Sequence, residues 1–271
     1  MLLPAAVHFG SGVRAAVATD GDGLIVGAAA LSARPRADPV SGLRVALHVI
    51  PPRRGRGLGR ALSEACADVA RGAGAEALYA WGPVDPAAGE PWRRLGFGHS
   101  CTVRESRVSL AAALNYLTPF YERVVAEGWI PPDARLVPLD RADAREVARL
   151  HVAQLGGELE SLVRRISGNV PPPYHPAMSP VILVNGRVMA FSLALPLPGG
   201  IALAESTVVD PSLRGGWANL WLKIAGATES LRLGLHTLLY YTYDRHTDTR
   251  KLGRQVGGVT RELVEPYKLL G

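Results

Sequence analysis

Short apolar runs alternate with longer amphipathic segments along the chain, a pattern typical of a mixed α/β protein. Two apolar runs at 13–20 and 24–32 flank the sequence Gly-Asp-Gly, which predicts a β-hairpin. A third strand is predicted at 43–50, a helix at about 59–72 and a buried strand at 77–84. A shorter helical stretch and one more strand then complete the first part of the chain.

The same succession of elements is predicted again in the second half. An apolar hairpin is expected across Asn185 and Gly186, a strong short-range hairpin signal. A strand then meets a proline at Val209-Asp210-Pro211, as the third strand of the first half does at Val49-Ile50-Pro51. Internal repetition of this kind predicts two domains of the same α/β (α+β) class, each with a mixed, mostly antiparallel twisted sheet flanked by helices. The predicted boundaries are 1–110 for the first domain, 111–133 for a helical connector and 134–271 for the second domain.

The composition says little about the fold, but it excludes several classes of function. The 271 residues are 48% hydrophobic, which is enough for two ordinary cores. No apolar run reaches the roughly 18 residues that a membrane helix needs, and the N-terminus does not resemble a signal peptide. We therefore expect a cytoplasmic protein without a membrane partner. Cys66, Cys101 and the histidines show no metal-ligand spacing, so no metal is expected.

The net charge of +6 comes almost wholly from arginine, and the arginines are spread along the chain. Such a balance suits an anionic ligand. No recognised nucleic-acid motif is present, so nucleic acid is not expected as a partner. A bacterial genome that favours Ala, Gly and Arg codons explains the same excess.

The most informative segment is the basic, glycine-rich turn between the third strand and the helix. Arg54, Gly57 and Gly59 have the spacing Arg-x-x-Gly-x-Gly, and Arg53, Arg56 and Arg60 surround them. Glycines allow a ligand to approach the backbone closely, and the N–H groups at a helix start favour a phosphate or pyrophosphate. Arginine grips phosphate oxygens with two parallel hydrogen bonds. A ligand with a pyrophosphate is therefore predicted here.

Two nucleotide-binding motifs are excluded, because a Rossmann fingerprint requires Gly-x-Gly-x-x-Gly and a P-loop ends in Gly-Lys-Ser/Thr. The segment resembles instead the acetyl-CoA loop of the GNAT superfamily of N-acetyltransferases. In that family a strand ending in Val-x-Pro precedes Arg/Gln-x-x-Gly-x-Gly/Ala, as Val49 to Pro51 and Arg54 to Gly59 do here. Trp92 to Phe97 resembles the family's Tyr-x-x-x-Gly-Phe block. With the repeat, the resemblance covers most of the chain as a tandem GNAT protein.

The resemblance implies an acyl-CoA-dependent N-acyltransferase. Acetyl-CoA, or another acyl-CoA, would be the co-substrate, and a primary amine of a small molecule would attack the thioester directly. The loop would hold the CoA pyrophosphate, and the backbone of the preceding strand would pair with the pantetheine. The residues implied for donor binding are Leu47, Val49, Arg54, Gly55, Arg56, Gly57, Leu58, Gly59 and Arg60. The protein would act as a monomer or a homodimer; a protein or RNA amine would also fit the fold, without specific support in the sequence.

The catalytic residues of the family are only partly matched. The strand carboxylate lies six residues before the corner proline, where the first half has Val45 and the second has Glu205. The tyrosine that protonates the leaving thiolate is replaced by Trp92 and Gly253. His48 lies on the strand before the loop, and histidine can exchange a proton near neutral pH. Glu205 and His48 are therefore the candidate catalytic residues.

Both halves depart from the family pattern in a further respect. The first half is short and lacks the opening strand and the two helices that usually form one wall of the acceptor pocket. In the second half, Trp217 and Asn219 stand where the loop glycines would be, which predicts a degenerate CoA loop. The first half is therefore expected to bind CoA. The alternative is a catalytically weak or inactive CoA-binding module with a regulatory role.

Overall fold

The computed structural model describes residues 5–9, 13–33, 42–214, 216–243 and 254–271. The chain forms two compact units, one made of Met1–Val103 with Glu262–Gly271 and the other of Arg104–Arg261. In the described residues the strands are β1 (Ala5–Phe9), β2 (Val13–Thr19), β3 (Ile25–Ala33), β4 (Gly42–Val49), β5 (Ala77–Ala80), β6 (Gly98–Ser109), β7 (Arg135–Pro138), β8 (Pro180–Val184), β9 (Arg187–Leu197), β10 (Ile201–Val209), β11 (Thr237–Tyr243) and β12 (Val259–Leu269). The α-helices are α1 (Leu58–Gly72), α2 (Glu90–Arg94), α3 (Leu110–Ala126), α4 (Ala144–Leu155), α5 (Leu159–Ile166) and α6 (Trp217–Arg232).

The first unit is a sheet with the strand order β1-β2-β3-β4-β5-β12, and α1 packs on one face of it. The predicted hairpin between β2 and β3 is confirmed, and β3 pairs antiparallel with β4. β4 and β5 are parallel, because the α1 crossover returns the chain in the same direction. Alternate residues of β4, Val45 and Val49, are buried against Leu58 and Leu62 of α1. Burial raises the pKa of the Cys66 thiol in this core to about 11.

An opening strand is present in the first unit, so the prediction that this strand is missing was wrong. β1 pairs antiparallel with β2, with Ala5 opposite Val17 and Phe9 opposite Val13. Only residues 10–12 separate the two strands, which is too short a stretch for the two helices of the family pattern. Among the described residues, no helix of the first unit lies between β1 and β2.

The C-terminal strand belongs to the first unit, although the sequence assigns it to a second domain at 134–271. β12 pairs antiparallel with β5, with Tyr267 opposite Tyr79, and the two rings lie 5.9 Å apart. Arg71 of α1 donates from Nε to the Leu270 carbonyl at 2.9 Å. The connector predicted at 111–133 is also part of a unit, since α3 packs against α6 in the second.

The second unit has the order of elements that the sequence predicts for it from β7 to β11, but without the C-terminal strand. Its strands follow the order β11-β10-β9-β8-β7, and β10 is parallel to β11. The hairpin at Asn185 and Gly186 is confirmed, with φ of 51° and 75° at the two residues. α4 and α5 pack on one face of the sheet, and α6 packs on the other. Across the described ranges, no helix is long and apolar enough to cross a membrane.

Candidate functional site

The two parallel strands of the first unit separate at one end. β4 pairs with β5 from Gly42 opposite Ala77 to Val45 opposite Ala80, and there β5 ends. β4 continues for four more residues to Val49 and stays paired with β3. An opening between β4 and β5 therefore begins at Val45.

The backbone groups of β4 face this opening at two residues. Ile50 donates its N–H to the Val26 carbonyl of β3 at 3.1 Å. Because successive residues of a strand turn their N–H and C=O groups to opposite edges, those of Leu47 and Val49 point away from β3. They lie along the edge from which β5 has parted, where an extended ligand could add as a strand.

The loop after β4 is a backbone nest at the start of α1. Gly55 and Gly57 have φ of +75° and +83°, the left-handed region that favours glycine. Gly57 is the N-cap residue, and no side chain of the described residues caps the helix. A Cβ atom at either glycine would meet nothing within 4 Å, so the surface above the loop is open. The N–H groups of the first helical turn are thus presented to an anion.

The arginines around the loop divide into bracing and exposed side chains. Arg54 donates from Nε to the Val49 carbonyl at 2.9 Å and so holds the end of β4 to the loop. Arg53 forms an ion pair with Asp20 at 3.2 Å, and Arg60 reaches the Arg94 carbonyl at 3.4 Å. Arg56 is exposed. The surroundings of the nest are therefore positively charged, as a pyrophosphate site requires.

His48 lies on the same strand but on the opposite face of the sheet from α1. His48 pairs with Ala28 of β3 and is exposed to solvent. Val45 and Val49, on the other face, are buried under α1. The imidazole thus projects from the part of β4 that borders the opening, on the face that no helix of the first unit covers in the described residues.

The second unit has a matching opening between β10 and β11. Their pairing runs from Ile201 opposite Thr237 to Ala204 opposite Tyr240, whereas β10 continues to Val209. A register shift against β9 occurs between Ala204 and Ser206, which places Glu205 in a β-bulge. Glu205 therefore stands where the two strands part, on the face covered by α4 and α5.

The Glu205 carboxylate is fully engaged by neighbouring side chains. Arg165 of α5 donates from both terminal nitrogens to the two carboxylate oxygens, at 2.6 Å each. The Tyr174 hydroxyl donates to the same carboxylate at 3.1 Å. Both carboxylate oxygens are thus occupied by donors of this chain, and a ligand amine would have to displace Arg165 to reach them. Sequence reasoning missed Arg165 and Tyr174, because only the fold brings them to Glu205.

The loops of the two units have different lengths. Arg54 and Arg214 have nearly the same backbone conformation, with φ of −66° at both and ψ of 158° and 148°. Three residues lead from Arg54 to Leu58 at the start of α1, whereas two lead from Arg214 to Trp217 at the start of α6. The second loop is therefore one residue shorter.

The shorter second loop changes which residues of the two units correspond to each other. Trp217 corresponds to Leu58, not to a loop glycine, and both side chains are buried. The Trp217 ring packs with Trp221, their centroids 5.9 Å apart, and does not line a nest. Crowding by Trp217 is thus not what changes the second loop. The loop is shortened instead, and it begins at Asp210, whose pKa is lowered by hydrogen bonds from Ser212. That carboxylate would repel a pyrophosphate.

Neither unit places a tyrosine where the thiolate-protonating residue is expected. Trp92 packs edge-on against Phe97 at 4.8 Å in the core of the first unit. Tyr241 donates to Glu105 at 3.2 Å in the second. Gly253 lies outside the described residues. Within the described ranges, no group of three His, Cys, Asp or Glu side chains is placed to hold a metal ion.

The two corner arginines make a matched pair for a binding experiment. Arg214 hydrogen-bonds Gln154 on α4, whereas Arg54 braces the strand beside the open nest. We expect Arg214→Ala to leave the Kd for CoA within about twofold of the wild-type value. Arg54→Ala should raise it about tenfold, since one charged contact and the loop brace are lost. Isothermal titration of both variants with CoA measures this, and an equal loss in the two would contradict the assignment to the first unit.

Comparison with known proteins agrees with this geometry. Residues 7–97 match the family model of the acetyltransferase (GNAT) family, a segment that runs from β1 to the end of the block after α2. It covers about a third of the chain and includes the whole β4–loop–α1 region. No curated protein matches the sequence significantly.

Solved structures extend the similarity of fold to nearly the whole chain. A tandem GNAT protein from the clavulanic acid biosynthesis pathway superposes with a TM-score of 0.62 at 20% identity, covering 96% of this chain and 83% of that one. A GCN5-related N-acetyltransferase from Sphaerobacter thermophilus gives 0.59 at 15% identity, with 97% and 82% covered. One from Kribbella flavida gives 0.59 at 16%, with 96% and 60% covered.

Proposed function

We propose that the chain is an acyl-CoA-dependent N-acyltransferase of the GNAT superfamily, because residues 7–97 match the GNAT family model and solved GNAT proteins share the fold of both units. The proposed donor is acetyl-CoA and the proposed acceptor is a primary amine of a small molecule. The observation that carries the proposal is the continuous donor surface of the first unit. It joins the open edge at Leu47 and Val49 to the nest at Gly57.

The donor would lie along this surface. The nest from Arg54 to Arg60 would hold the pyrophosphate, and the pantetheine would extend along the open edge of β4. Four residues of strand, from Val49 back to Val45, span about 13 Å at about 3.3 Å per residue. This brings the thioester towards the point where β4 and β5 part. Backbone N–H groups there would polarise the carbonyl as the amine attacks.

The proposed chemistry is direct transfer. The amine lone pair attacks the thioester carbonyl carbon, the tetrahedral intermediate collapses, and CoA leaves as the thiolate. The attacking amine must lose a proton, and we propose His48 as its acceptor, because Val45 cannot serve and the carboxylate of Glu205 is engaged by Arg165. Closure of the acceptor side would have to come from elements other than opening helices, since none is found in the part of the first unit that the structure describes.

His48→Gln is expected to lower kcat by about a hundredfold, the range of a lost general base. His99→Gln, at another exposed histidine of the first unit, is the matched control and should behave as wild type. An unchanged kcat in His48→Gln would assign the base elsewhere.

Release of free thiol from acetyl-CoA, measured against a panel of primary amines, tests the proposed function. Amine-dependent release that His48→Gln reduces would support it. A second function is favoured by one observation: the strand position of the family carboxylate holds Val45 in the first unit and the ion-paired Glu205 in the second. CoA binding without turnover on any amine would indicate a CoA-binding regulatory module.

A further inference from the structure

A cradle for a planar cation lies in the second unit, formed by the Glu205 carboxylate, the Tyr174 ring and the Pro172 carbonyl. Arg165 fills this cation cradle. Its terminal nitrogens lie 2.6 Å from the two carboxylate oxygens, and its Nε lies 3.1 Å from the Pro172 carbonyl. Its guanidinium carbon lies 4.3 Å from the centroid of the Tyr174 ring. The cradle thus satisfies a cation by charge, by hydrogen bonds and by an aromatic face.

The cradle is partly enclosed and holds one negative charge. The side chains of Arg165 and Glu205 are 25% and 32% exposed, so solvent reaches the pair on one side. Burial disfavours the charge on Arg165, but its hydrogen bonds to Glu205 and its electrostatic interactions with Tyr174 and Glu205 together outweigh this effect and raise its pKa. Burial, together with the Glu205 charge, raises the pKa of Tyr174, which stays a hydrogen-bond donor. Burial lowers the pKa of nearby His151, so this imidazole is neutral and does not compete for the carboxylate.

The cradle lies at the opening between β10 and β11, where an amine acceptor would enter the second unit. Glu205 sits in the bulge at which β10 and β11 part, the counterpart of Val45 at the mouth of the first opening. If acyl transfer takes place at the mouth of such an opening, as proposed above, an incoming amine would meet this carboxylate first. In the second unit the carboxylate is already paired with a cation from its own chain.

We propose that the second unit carries a recognition site for a guanidinium or primary ammonium group, and that Arg165 occupies this site in cis. The arginine takes the place of an acceptor cation, so the second unit is closed to amine acceptors and acyl transfer is left to the first. Glu205 is then a positioning residue that fixes α5 through Arg165. Naming the displaced group an acceptor rests on the proposed function, whereas the cation site itself rests on the geometry alone.

Removal of the internal cation should make the site available to an external one. In the full-length Arg165→Ala variant, ethylguanidinium should restore the lost contacts and raise the melting temperature by about 3 °C at tens of millimolar. Choline, which has the same charge but no N–H donors, is the control cation. Wild type, in which the cradle is filled, should respond equally to both salts. The Arg165→Ala/Glu205→Gln double variant lacks the carboxylate and should also show no preference.

Should Arg165→Ala not fold alone, refolding in buffer with ethylguanidinium should yield soluble protein where choline does not. Equal effects of the two cations on the single variant, in melting or in refolding, would overturn the proposal. So would a preference for ethylguanidinium that persists in the double variant. Neither readout involves CoA or amine turnover, so failure here is distinguishable from failure of the proposed function, which the thiol-release assay decides.

Discussion

A chain that ends at Arg261 is expected to lose CoA binding completely and to lose the cooperative unfolding of its first unit. The ten deleted residues include most of β12, which pairs with β5 in the sheet that carries the proposed donor site. Leu263 and Leu270 are 2% and 4% exposed. Loss of one buried leucine side chain costs about 2–5 kcal/mol, against a total stability of about 5–15 kcal/mol for a typical domain. The first unit cannot tolerate the loss of both together with a strand.

Point variants of the full-length chain show whether the loss of stability comes from the buried side chains of β12 and the residues after it. Leu270→Ala should lower the melting temperature clearly, whereas Leu269→Ala should have little effect, because Leu269 is 59% exposed. Calorimetric melting and CoA titration provide the measurements. If the shortened chain melted and bound CoA as the full chain does, the last strand would not belong to the donor unit.

Gly59→Glu is expected to raise the Kd for CoA at least tenfold without loss of stability. Gly59 is the second residue of α1, and a Cβ there would meet only Leu47 and Leu95, at 3.8 and 4.0 Å, which is ordinary contact. A carboxylate in the first turn of a helix is favourable to the helix, by about 0.3–1 kcal/mol. The same charge repels a pyrophosphate in the nest. Stability and affinity should therefore change in opposite directions.

Gly59→Gln is the control for this variant, because it adds the same bulk without the charge and should weaken binding less. Gly57 is the poorer site for substitution, since its φ of +83° strains any residue with a Cβ atom. Thermal melting and CoA titration of both Gly59 variants check the prediction. Unchanged CoA affinity in a folded Gly59→Glu protein would show that the nest does not bind the CoA pyrophosphate.

The local parts of the site were predictable from the sequence, because their signals are contiguous. Glycine spacing, a corner proline and an apolar strand predict the β4–loop–α1 unit, and a hairpin dipeptide predicts the turn at Asn185 and Gly186. These features depend on backbone conformation within a few residues.

The features that the sequence did not predict depend on contacts between distant residues or on the exact number of residues in a loop. The alternating pattern of β12 indicates a strand but not which sheet it joins, and Tyr79 lies 188 residues from its partner Tyr267. β1 is an apolar run of only five residues, and the turn signal Gly-Ser-Gly that follows it was not read as a hairpin. The equivalence of Trp217 was misassigned because one loop residue is absent, and only the helix start reveals this. The ion pair of Arg165 with Glu205 joins residues 40 positions apart.

Titration of the full-length protein with CoA tests most directly whether the first unit holds the donor site. A single class of sites with one CoA bound per chain is predicted, because, among the described residues, the first unit alone combines an open strand edge with a full-length basic loop. The same titration of Gly59→Glu should show that this one site is weakened. Two equivalent sites per chain, or one site unaffected in Gly59→Glu, would contradict the account.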